Sequence, residues 1–115
     1  MPASYNPSGL PQAELAFVEA EGGYSKFAQI MGVFDETGRR VVGTDSWVKQ
    51  DRWTKLYLEP GRYQFAVHCQ MGTLYAAPSV TVELSAGAHY KVICRAMNNG
   101  AIYGAAEAQI KKVSP

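Results

Sequence analysis

Four side chains in this 115-residue chain carry the chemistry that most often builds a site: Cys69, Cys94, His68 and His89. The two cysteines stand 25 residues apart, without the CxxC spacing of a redox dithiol. Each lies on the apolar parity of an alternating run. Tyr63, Phe65, Val67 and Cys69 interleave with Arg62, Gln64 and His68, and Tyr90, Val92 and Cys94 repeat the phrase. A period of two marks a half-buried strand, so both thiols are expected on inward faces. A Cys69–Cys94 disulfide is the pairing this placement predicts, with two free core thiols as the alternative. Closing that loop would contribute roughly 3 kcal/mol by the chain-entropy estimate.

His68 adjoins Cys69, but neighbouring strand residues point to opposite faces, which rules out a simple thiol–imidazole dyad. His68 and His89 read as ordinary surface histidines; the alternative, both on one outer face, gives two of the three or four ligands a zinc ion takes, with no third in evidence. No nucleophile elbow or glycine-rich phosphate loop is present. Asp35, Glu36, Asp45 and Asp51 lack the spacing of a calcium loop. The expectation is a non-enzyme with no catalytic residue, metal or cofactor.

The remaining candidates are aromatic. Trp47, Trp53 and Tyr57 lie close in sequence to Arg52 and Lys55, and Tyr75 follows in a later segment. If Leu56 and Leu58 face the core, Trp53, Lys55 and Tyr57 face out. An outward aromatic pair beside Arg52 and Lys55 can anchor a protein partner or stack a sugar ring. The competing role for one tryptophan is to plug the open end of a sandwich.

These residues need a scaffold, and the composition bounds it. The length suits one domain with a real core, and 47% hydrophobic residues argue against disorder. A net charge of +1 leaves no basic excess to hold phosphates, so nucleic acid is not expected. No apolar run reaches the length of a membrane span. Met1-Pro2-Ala3-Ser4-Tyr5 is not the basic-then-apolar start of a signal peptide.

Along the chain, prolines 2, 7 and 11 predict a flexible tail over residues 1–12, with one domain over 13–115. Residues 13–20 read as a first strand with Leu15 and Phe17 on one face, Glu14 and Val18 on the other. The near-continuous apolar run 26–34 predicts a central strand. Asp35-Glu36-Thr37-Gly38 predicts a hairpin loop with Gly38 left-handed, returning through 39–43. Residues 44–54 give no clear signal beyond a single turn near 46–50. Pro60-Gly61 predicts a type II turn between a short strand over 55–58 and a long one over 62–70. Residues 71–79 read as a crossing loop. A second hairpin is expected over 80–96, turning at 85–88, and then an Asn99-Gly100 turn. The last strand, over 103–113, turns Ala106, Ala108 and Ile110 inward. The whole predicts an all-β, antiparallel β-sandwich of seven or eight short strands, immunoglobulin-like or transthyretin-like.

The phrases Leu58-Glu59-Pro60-Gly61-Arg62-Tyr63 and Leu84-Ser85-Ala86-Gly87-Ala88-His89-Tyr90 resemble the turn-and-strand pattern of PEGA-like modules and of small bacterial envelope lipoproteins. The resemblance covers about a third of the chain, residues 55–96. It implies a periplasmic or cell-envelope location and a non-catalytic protein-binding or scaffolding role. A lipid anchor upstream would make residues 1–12 its tether. Two other roles fit the same residues: a carbohydrate- or peptidoglycan-binding module using the aromatics, and a small inhibitor or immunity protein acting through the 44–54 loop.

Overall fold

Alternating apolar and polar residues make nearly every described segment a strand. The computed structural model describes residues 3–23, 26–43, 52–71, 74–97 and 105–114, and its regular elements are strands apart from one 3-10 turn at Gln12–Glu14. In chain order they are β1 (Ala3–Tyr5), β2 (Ala16–Ala20), β3 (Lys26–Asp35), β4 (Arg40–Val42) and β5 (Lys55–Leu58). Then follow β6 (Gly61–Met71), β7 (Leu74–Ala76), β8 (Ser79–Leu84), β9 (His89–Met97) and β10 (Ala105–Ser114). One sheet has the order β1-β5-β2-β9-β10. The other runs β4-β3-β6, with β7 and β8 both paired to β6.

Side chains from both sheets meet in one core. Ile30, Phe65 and Val67 of the second sheet and Leu56, Leu58 and Val92 of the first are all fully shielded. Strand β3 explains the near-continuous apolar run: a bulge after Ile30 inserts an extra residue, so Ala28, Ile30 and Val33 all reach the core. The β3–β4 hairpin forms as expected. Gly38, at φ 88°, donates its N–H to the Asp35 carbonyl. The Asp35 carboxylate accepts from the Thr37 hydroxyl and from the Thr37 and Arg39 N–H groups, which holds its pKa below the ordinary value.

Two expectations are corrected. The Pro60-Gly61 phrase is not a hairpin: β5 belongs to the first sheet and β6 to the second. Gly61 sits at φ 158°, nearly extended, instead of the roughly +80° a type II turn requires, so the chain bends and does not reverse. The second phrase likewise carries β8 of the second sheet into β9 of the first. Each corner is closed by its tyrosine. The Tyr63 hydroxyl donates to the Glu59 carbonyl at 2.7 Å, and the Ser85 N–H donates to the Tyr90 hydroxyl at 2.8 Å. Corner groups without a ladder partner are thereby satisfied.

The first sheet is also not purely antiparallel, because β1 pairs with β5 and β2 with β9 in parallel. Strands that arrive by crossing from the other sheet, and not by hairpin, can enter in the same direction. Within the segment expected as a tail, Ala3–Tyr5 forms that edge strand, and the Asn6 side chain brackets Leu10 through both its amide groups. Residues 74–76, expected in a loop, pair with the end of β6. The turns expected at 46–50 and at Asn99-Gly100 lie outside the described residues.

Candidate functional site

Strands β5, β2 and β9 turn one parity into the core and the other outward. In β2 the buried residues are Ala16, Val18 and Ala20, so Phe17 faces out with Glu19. Registry then aligns the outward residues in rows. Phe17 pairs with Tyr57 on one side and His89 on the other, and Glu19 pairs with Lys55 and Lys91. The Phe17 ring centroid lies 4.8 Å from that of Tyr57 and 4.8 Å from that of His89, tilted 37° and 46° respectively.

This aromatic row forms one side of an open depression of about 490 Å³, lined also by Gln12, Leu15 and Gly87. Gly87, at φ 70°, brings the β8–β9 corner against the Gln12–Glu14 turn; a Cβ there would lie 3.0 Å from the Ala13 carbonyl oxygen. Glu19 supplies the polar edge, with its carboxylate 4.0 Å from both Lys55 Nζ and His89 Nε2. His89 Nε2 is shielded yet has no hydrogen-bond partner. The site therefore offers part-exposed rings beside an acid and an amine. It can stack a flat or apolar group and hydrogen-bond to its rim.

The sequence candidates do not converge on one surface. Lys55 and Tyr57 belong to this face. Tyr75 lies on the outer face of the second sheet, 69% exposed, with its ring stacked on His68 at 5.6 Å. Arg52 donates to Gln29 Oε1, and Gln29 pairs with His68 on that same second face. Trp53 stands where the chain changes sheets: it exchanges backbone hydrogen bonds with Ile30, while Thr54 accepts from the Ala20 N–H. Its side chain is half-buried against the core and does not share a face with Tyr57. Trp47 lies outside the described residues.

The histidines are separated as well, on the outer faces of opposite sheets, which removes the shared-face zinc alternative. His68 is no surface residue: only 8% exposed, it lies beneath Tyr75 and within 3.0 Å of Gln70 Oε1. Among the described residues no cluster of three metal-ligating side chains occurs. Cys69 and Cys94 do meet, as a disulfide with Cα atoms 5.7 Å apart.

Phe17 is a site residue that sequence reasoning missed, and His89 was weighed only as a zinc ligand. The signal was Glu19, which shares the parity of Phe17 and marks that face of β2 as the wet one. Comparison with family models, with curated proteins and with solved structures finds no match to this chain. No helix among the described residues is long and apolar enough to cross a membrane.

Proposed function

We propose that this chain is a non-enzymatic module of the bacterial cell envelope that binds another protein through the outer face of its first sheet. On this reading the fold is a sandwich of immunoglobulin-like or transthyretin-like type, in keeping with the PEGA-like phrases. The observation that carries it is the Tyr57–Phe17–His89 row, left part-exposed beside an open depression and edged by Glu19 and Lys55. Part-exposed aromatics in a shallow hollow with a charged rim are the usual anchors of a protein interface. The inter-sheet disulfide supports an oxidising compartment, hence periplasm or cell surface.

The test compares the chain with its Phe17→Ala/Tyr57→Ala variant in affinity capture from envelope extract, after both are shown to melt alike. A partner retained by the first and lost by the second supports the reading. Equal capture by both contradicts it.

A second reading, a glycan-binding module, is favoured by one observation: the charged groups of Glu19 and Lys55 stand within the same patch as two rings. Retention of a glycan on an array, lost with Tyr57→Ala, would select it over the first.

A further inference from the structure

Strand β10 ends the first sheet, paired to β9 on one side only among the described residues. Ten residues long, it is far longer than β1 at the opposite edge, which has three. An edge of that length presents a row of backbone donors and acceptors that a further strand can use. Its parities are distinct. Ala108 is buried, with Ala106 and Ile110 packed against the core, so Glu107, Gln109 and Lys111 face the outer side.

The charges on that outer side are unbalanced at this edge. Lys55, Glu19, Lys91 and Lys111 form one row across β5, β2, β9 and β10. The row alternates until it reaches Lys91 and Lys111, two like charges directly opposite each other, an arrangement that destabilises a sheet. A carboxylate in the next strand position would relieve it.

We infer that β10 pairs antiparallel with β10 of a second copy, about a two-fold axis through Gln109, joining the two first sheets into one. Keeping outer face against outer face requires the axis to pass through a residue. Placed on Gln109, it sets Glu107 opposite Lys111 of the other copy, twice by symmetry. It also sets Ala108 opposite Ile110 on the core side and Gln109 opposite itself. Placed on position 108 or 110, it would set Glu107 against Gln109 or Val113, and on 111 it would set Lys111 against itself. Glu107 is the strand's one acid, so only the Gln109 axis completes the charge row. The interface is isologous and closed, as a stable dimer requires. The competing role for Lys111 and Lys112 is to keep the edge unpaired, as lysines on edge strands commonly do.

Sedimentation equilibrium across the micromolar range separates the two. The chain should sediment with the mass of two copies. Glu107→Lys, which sets like charges opposite each other twice, should weaken association by roughly tenfold or more. The double exchange Glu107→Lys/Lys111→Glu should restore it. Independently of those charges, Gln109→Cys should form a covalent dimer on oxidation, since residues facing across an antiparallel pair lie within disulfide reach, while Glu107→Cys should not. A monomer throughout the range overturns the inference. So does a dimer indifferent to Glu107→Lys, or one that the double exchange fails to restore.

Discussion

Cys69 of β6 and Cys94 of β9 are joined with Cα atoms 5.7 Å apart, so this covalent cross-link runs between the two sheets and not within either. Both residues are buried, at 0% and 4% exposure, which shields the bond from external thiols. Protein prepared without reductant and then denatured should take up no alkylating label, and two labels after reduction. The Cys69→Ser/Cys94→Ser variant should lose roughly 3 kcal/mol in denaturant unfolding. Two labels on unreduced protein would contradict the bridge.

Tyr63 should make stability fall in strong base. Burial, with the Glu59 carboxylate second, pushes its phenol up to about 12, so the folded state favours the protonated hydroxyl that donates to the Glu59 carbonyl. The stabilisation is fully present below the ordinary tyrosine pKa of about 10 and is lost as pH rises through the folded value. Tyrosinate absorbance of the folded protein should show a late step from Tyr63, and Tyr63→Phe should remove it.

Truncation of three aromatics should separate core from surface. Phe65 is fully buried, and Phe65→Ala should cost about 3–5 kcal/mol. Trp53→Ala should cost roughly 1–3 kcal/mol, because that part-buried ring packs against the core at the crossing point. Phe17→Ala, on the outer face, should cost about 1 kcal/mol or less. Urea unfolding midpoints in the order Phe17→Ala above Trp53→Ala above Phe65→Ala would match; a Phe17 variant as unstable as Phe65→Ala would not.

The alternation that made the strands legible was also what limited the reading. Tyr63, Phe65, Val67 and Cys69 form a period-two run whose inward face needs no partner to recognise, and the same parity placed both thiols in the core. Which sheet receives a strand is a different matter. Leu58 and Tyr63 flank a short connection in either topology, and only the nearly extended Gly61 backbone makes it a corner. Parallel neighbours such as β2 and β9 leave no local trace, because their partners lie some 70 residues apart. The site suffered from the same ambiguity. Apolar residues occupy both parities of Ala16–Ala20, so neither parity stood out as the inward one, and parity could not be carried from Trp53 to Tyr57 across a change of sheet.

Gly87 should prove structurally specific. Gly87→Ala meets a positive φ and a carbonyl oxygen at 3.0 Å, so it should destabilise by about 1–2 kcal/mol and shift the corner that walls the depression. Changes in amide shifts over residues 12–15 in a heteronuclear spectrum would report that movement. An unperturbed spectrum with unchanged stability would refute it.

The proposed binding face is tested most directly by a photo-activated cross-linker in place of Tyr57, with the same group in place of Gln64 on the outer face of the second sheet as reference. Both chains would be expressed in the envelope of living bacteria and irradiated there. A discrete cross-linked protein is expected from position 57 and none from position 64. The same species from both positions, or a discrete partner from position 64 alone, would contradict the assignment of the first sheet as the binding surface.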